Sequence, residues 1–188
     1  MAGSKRRHQL KKRGNMVKAI FPGTFDPIHF GHIDIAKRAS KIFDQVVVAV
    51  YDRPLKDLLF LPEERIEMVK QSFNDPKIIV MGYSGLTVSF CRDIHAQVIV
   101  RGLRVFSDFE HEFRMALANH RLAKEIEVIA LITSEEHTFL SSTTVKEIAS
   151  LNGDISSMVP GHVETALRKR FADMDESQQM NHQTSLRD

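Results

Sequence analysis

The chain has 188 residues, 43% hydrophobic and 27% charged, a balance that fits one water-soluble domain with its own core. No run of about 18 apolar residues occurs, so no membrane partner is expected; the single cysteine, Cys91, excludes an intrachain disulfide and favours a cytoplasmic setting. The net charge of +2 is uneven: Lys5, Arg6, Arg7, Lys11, Lys12 and Arg13 crowd residues 1–15 with no acid, and without those six the rest of the chain stands at −4.

Residues 1–15 read as a basic disordered tail, with Met16 as an alternative start, rather than as a nucleic-acid contact. Residues 16–173 then alternate short apolar runs with helical patterns. Val17–Phe21 reads as a strand and 31–40 as a helix on Ile33 and Ala36. Gln45–Tyr51 is a nearly continuous β-branched run, as in a parallel strand buried on both faces. Pro62-Glu63-Glu64 opens a helix, with proline in its first turn and acids at the positive end of the dipole.

Further strands are expected at Lys77–Met81, Gln97–Val100 and Glu127–Thr133, with helices over Thr87–Asp93, Ser107–Lys124, Thr144–Ser150 and His162–Phe171. Ser107 with Glu110, and Thr144 with Glu147, have capping-box spacing. Residues 174–188 read as a disordered polar tail. The alternation predicts an α/β fold: a doubly wound, Rossmann-like, five-stranded parallel sheet with helices on both faces. Ligands of such sheets sit beyond the carboxyl ends of the strands, so chemistry is sought just after each one.

Three segments there carry it. In the first, FPGTFDPIHFGHIDIAKRA, His29 and His32 flank a glycine at a helix start, where free amides suit an anion. Phosphate fits better than zinc, because no cysteine or carboxylate completes a ligand set, and His111-Glu112 has Met115 where a zinc helix needs histidine. In the second, Arg101 and Arg104 flank Gly102 at a strand end, and guanidinium forks match phosphate oxygens. In the third, Ser141, Ser142, Thr143 and Thr144 offer more hydroxyls than one cap requires, with Lys146 close behind. Lys56, in the loop 52–61, would read as solvated if it stood alone.

His29-Phe-Gly-His32 and Leu140-Ser-Ser-Thr143 resemble the two motifs of the H-x-G-H nucleotidylyltransferases. With RGLRVFSDFEHEFRMALAN and FLSSTTVKEIA, the chain is similar to the bacterial phosphopantetheine adenylyltransferases from about Val17 to Phe171. The resemblance implies adenylyl transfer from ATP to 4′-phosphopantetheine, giving dephospho-coenzyme A and pyrophosphate. It implies catalytic roles for His32, Thr24, Lys56 and Arg104, with His32 donating to the α-phosphate. Thr24, Lys56, Thr87 and Arg101 would hold the acceptor. Thr24, Phe25, His32, Gly102, Leu103, Arg104 and Glu112 would meet the nucleotide, with His137, Thr138, Phe139 and Leu140 beside it. Ser141, Ser142 and Thr143 would cradle its β- and γ-phosphates.

Magnesium would arrive on ATP, with no protein metal ligands. A homo-oligomer, a hexamer by resemblance, is implied, and no nucleic-acid partner. His29 departs from a frequent threonine, Phe21 from a frequent tyrosine and Thr143 from a common serine; the basic tail has no counterpart. Rival readings are an acceptor such as nicotinamide mononucleotide or glycerol phosphate, a nucleotide sensor using the tail, and a metal hydrolase.

Overall fold

The computed structural model describes residues 16–52, 58–104 and 106–185. The basic segment 1–15 and Lys56 lie outside them. Five strands, β1 (Lys18–Gly23), β2 (Gln45–Tyr51), β3 (Ile78–Tyr83), β4 (Val98–Leu103) and β5 (Glu127–Ile132), form one sheet in the order β3-β2-β1-β4-β5. Every neighbouring pair is parallel. The chain builds outward from β1 to β3, then crosses back to lay β4 on the other side of β1. That reversal opens a crevice at the carboxyl ends of β1 and β4.

The helices are α1 (Phe30–Ile42), α2 (Pro62–Gln71), α3 (Thr87–Asp93), α4 (Phe106–Leu122), α5 (Ser142–Ser150) and α6 (Gly161–Ser185). Alternate strand residues point to opposite faces. Ala19, Phe21, Val46, Val48, Val50 and Val100 meet Ile33, Ile35 and Ala36 of α1, Val69 of α2, Val145 of α5 and Val163 of α6. Ile20, Val47, Ala49 and Ile99 form the second core with Val88 and Cys91 of α3, Ala123 and Ile126. Helices thus cover both faces, as the sequence pattern predicts. Cys91 is fully buried, and burial pushes its thiol up to about 12.

Several boundaries differ from the sequence expectation, among them those of β4, α4, α5 and α6. β4 runs on through Leu103, because Arg101, Gly102 and Leu103 pair in register with Ala130, Leu131 and Ile132. The arginine segment is therefore the end of a strand, not the loop after it. α4 starts at Phe106, one residue ahead of Ser107. α5 starts at Ser142: the Ser141 side chain accepts from the Thr144 amide at 3.0 Å, so Ser141 is the cap and Thr144 lies inside the helix. α6 continues to Ser185, past the expected start of a tail at 174, since no glycine or proline interrupts 174–185.

Candidate active site

A cleft of about 720 Å³ opens at the β1–β4 crevice. Thr24, Phe25, His29 and His32 line it from the first segment, Arg101, Gly102 and Arg104 from the second, and Ser141, Ser142, Thr143 and Lys146 from the third. Segments more than 100 residues apart in sequence therefore share one wall, as the strand order requires.

The exit from β1 sets the histidines. Phe25 takes a left-handed backbone, φ 49°, and buries its ring; such a conformation in a non-glycine residue costs on the order of 1 kcal/mol or more. Its ring meets His32 edge-on at 5.0 Å between centroids. His29 stacks on the other side of His32 at 3.6 Å and 23°. Gly31 leaves room for this stack: a Cβ there would stand 3.1 Å from the His29 ring, which would have to shift by a few tenths of an ångström.

Burial, then the neighbouring charges of Arg104 and His137, pushes His29 down to about 3. His32 is held well below its usual range by burial, then by His29, Arg104 and Arg101. Both rings are neutral at pH 7. The His29 backbone N–H donates to His32 Nδ1 at 3.3 Å. An accepting Nδ1 on a neutral ring leaves the proton on Nε2. His32 is thus a hydrogen-bond donor in the cleft without being a cation, while His29 Nδ1 is buried with no partner among the described residues.

The charged groups are tied together. Glu112 grips Arg101 through both oxygens at 2.6 Å, and Arg101 Nη1 also donates to the Pro22 carbonyl at 2.9 Å. That pair is the observed partner of Glu112, which the resemblance places along the nucleotide. Arg104 Nη1 donates to the Leu140 carbonyl at 2.6 Å, joining the second segment to the third. Asp26 is buried; it accepts from the amides of Leu59 and Phe60 at 3.0 Å and from Lys146 Nζ at 2.7 Å. Ser142 Oγ donates to the Pro27 carbonyl at 2.8 Å, which closes α5 onto the β1 exit. Among the described residues no three His, Cys, Asp or Glu side chains gather to hold a metal ion.

Thr87 lines the cleft on the α3 side, its Oγ1 3.0 Å from the Tyr83 hydroxyl. Five expected nucleotide neighbours stand off the wall. Leu103 ends β4 outside the lining, and Leu140 is a fully buried core residue. Phe139 is 60% exposed. The Thr138 hydroxyl donates to the Glu135 carbonyl at 2.8 Å, and His137 stacks loosely on Phe30 at 6.5 Å. The apolar residues of this run serve the approach to α5, and its hydroxyls after Leu140 face the cleft. Asp26, Tyr51, His111, Met115 and Asn119 line the cleft without having been expected there. For Asp26 the signal was present: a carboxylate in G-T-F-D-P directly after a buried strand.

A cytidylyltransferase-like family model matches residues 20–148. The chain is 50% identical over 157 residues to a phosphopantetheine adenylyltransferase of Roseiflexus sp. (strain RS-1), covering 83% of this chain and 98% of that protein. It is 46% identical over 163 residues to a phosphopantetheine adenylyltransferase of Herpetosiphon aurantiacus, covering 86% and 99%. Among solved structures, the lipopolysaccharide core biosynthesis protein from Thermoplasma volcanium GSS1 is similar over 64% of this chain and 99% of that one, with TM-score 0.49 and 19% identity. With relatives this similar along nearly their whole length, the chain belongs to the phosphopantetheine adenylyltransferases, a family of nucleotidyltransferase enzymes.

Proposed function

We propose that the cleft joins ATP to 4′-phosphopantetheine. An oxygen of the acceptor's phosphate bonds to the α-phosphorus, the bond to the β-phosphate oxygen breaks, and pyrophosphate leaves with that electron pair. Dephospho-coenzyme A is the other product. The observation that carries the reading is the convergence of three separate segments on the β1–β4 crevice around a neutral, Nε2-protonated His32.

The acceptor phosphate is already an anion at neutral pH, so no strong base is required, and a neutral imidazole in a buried setting is a poor one. His32 Nε2–H instead donates to α-phosphate oxygens as charge builds on them. Thr24 faces the same space and brings acceptor and α-phosphate together. Arg101 takes the acceptor phosphate, its fork oriented by Glu112; Lys56 shares that task. Arg104 and the α5 N-terminus, with Ser141, Ser142 and Thr143, receive the leaving pyrophosphate, where the helix dipole and hydroxyl donors act together. Magnesium enters as the MgATP substrate complex.

A cytoplasmic enzyme working as a homo-oligomer, a hexamer by family resemblance, completes the proposal. Supporting assembly, Phe109, Phe113 and Leu117 of α4 are each at least half exposed along one stripe.

The test is pyrophosphate release with MgATP and each of 4′-phosphopantetheine, nicotinamide mononucleotide and glycerol 3-phosphate. Release with the first alone is expected. Release with another overturns the acceptor assignment, and release with none overturns the reaction. His32→Ala should lower kcat by about 10²–10³ while melting like the wild type.

A further inference from the structure

Arg65, the fourth residue of α2, has the largest fully buried side chain among the described residues, at 0% exposure. Its guanidinium donates to four main-chain carbonyls. Nε reaches Phe60 at 3.2 Å, Nη1 reaches Thr24 at 2.6 Å and Tyr51 at 2.8 Å, and Nη2 reaches Asp52 at 3.4 Å. Among the described residues no carboxylate lies within ion-pair distance of it.

Burying a guanidinium on neutral acceptors is a costly way to stabilise a core that an apolar side chain of similar volume would fill. The acceptors point to its use. Thr24 is the first residue past β1, Tyr51 the last of β2, and both line the cleft. Thr24 lies past the last paired residue of β1, whereas Tyr51 still pairs with Tyr83 of β3, and a single nitrogen, Nη1, donates to both carbonyls and so ties the unpaired exit of β1 to the paired end of β2. Asp26 adds to the frame by accepting the Leu59 and Phe60 amides, while Arg65 donates to the Phe60 carbonyl. The wall that bears Thr24 is therefore set from behind by a side chain that never enters the cleft.

We propose that Arg65 is a positioning residue for the transfer: it holds the Thr24 peptide where the acceptor phosphate must sit in line with the α-phosphorus. This rests on the acceptor reading above. The β- and γ-phosphates fall to Arg104 and the α5 N-terminus, none of whose carbonyls is among the four that Arg65 holds, so its loss should fall on transfer and acceptor use more than on nucleotide binding.

The experiment compares wild type, Arg65→Lys and Arg65→Met in the full chain. It measures melting, affinity for the unreactive analogue α,β-methylene-ATP with magnesium, and steady-state kinetics with 4′-phosphopantetheine. Lysine keeps the charge but offers one nitrogen in place of three and cannot meet all four carbonyls; methionine keeps most of the volume and no donor. The expected result is a cooperative melt for Arg65→Lys, analogue affinity within about threefold of wild type, and kcat/KM for the acceptor down about 10–100-fold, with a larger loss in Arg65→Met.

Wild-type kinetics in both folded variants overturns the proposal. So does a parallel loss of analogue affinity and turnover, or failure of both variants to fold, since either leaves the guanidinium a structural role alone. Wild type that releases pyrophosphate only with a different acceptor sinks the acceptor reading instead, and the same split is then read with that acceptor. Wild type inactive with all three acceptors overturns both.

Discussion

His29 and His32 hold their protons weakly because the fold encloses them beside Arg101 and Arg104. His29 stands at about 3 in the folded chain against an ordinary value of 6.5. Between those values the unfolded chain binds a proton that the folded chain refuses. Stability is therefore complete above pH 6.5 and declines as pH falls, by about 1.4 kcal/mol per unit for each such proton. His32, lowered in the same direction, steepens the decline. Urea unfolding midpoints of wild type and His29→Thr between pH 7 and pH 4.5 should show a shallower fall in the variant. Parallel curves would mean that the first histidine is not held neutral. Refusal of a second proton keeps the His32 ring neutral, and a neutral imidazole holds its Nε2 proton firmly, so in the proposed reaction it would offer phosphate a hydrogen bond without releasing the proton.

The elements were largely legible in the sequence because each is a local pattern. QVVVAVY reads as a strand shielded on both faces and Pro-Glu-Glu as the opening of a helix, and β2 and α2 form there. Where the expectation slipped, a partner distant in sequence decided. β4 reaches Leu103 because β5 offers pairing partners to that point. Lys146 is poorly placed for its own helix, but Asp26, 120 residues earlier, accounts for it. Glu112 answers Arg101 across a turn of chain that spacing does not describe. Arg65 carries no sequence signal of its own, because the four carbonyls it meets are brought together only by the fold.

The cap of α5 is the element whose revision is easiest to test. Ser141→Ala removes the acceptor of the Thr144 amide and should cost about 1 kcal/mol of unfolding free energy. Thr144→Ala should cost less, since a helix-interior position tolerates alanine well. The reverse ranking in chemical denaturation would restore Thr144 as the cap.

On the scale of the whole molecule, the two faces of the sheet are unequal. One carries α1, α2, α5 and α6; the other carries α3 and the region of α4, whose outer stripe remains apolar. Phe109 and Phe113 stack on each other at 5.7 Å, a flat aromatic surface that water covers poorly. If this stripe joins copies of the chain, Phe113→Glu with Leu117→Glu should convert the assembly to monomers in sedimentation velocity. An unchanged sedimentation coefficient would move the interface elsewhere.

The chain's only thiol lies in the second core, fully enclosed and held protonated far above neutral pH. Maleimides and disulfide reagents attack thiolates that solvent can reach, so the native protein is silent towards them. A cysteine introduced at an exposed position such as Leu151, 78% exposed just past the end of α5, would be the one reactive thiol in the molecule. Fluorophores or spin labels can therefore be attached at chosen points around the cleft, and the approach of its walls followed in solution, without first engineering away a native sulfhydryl.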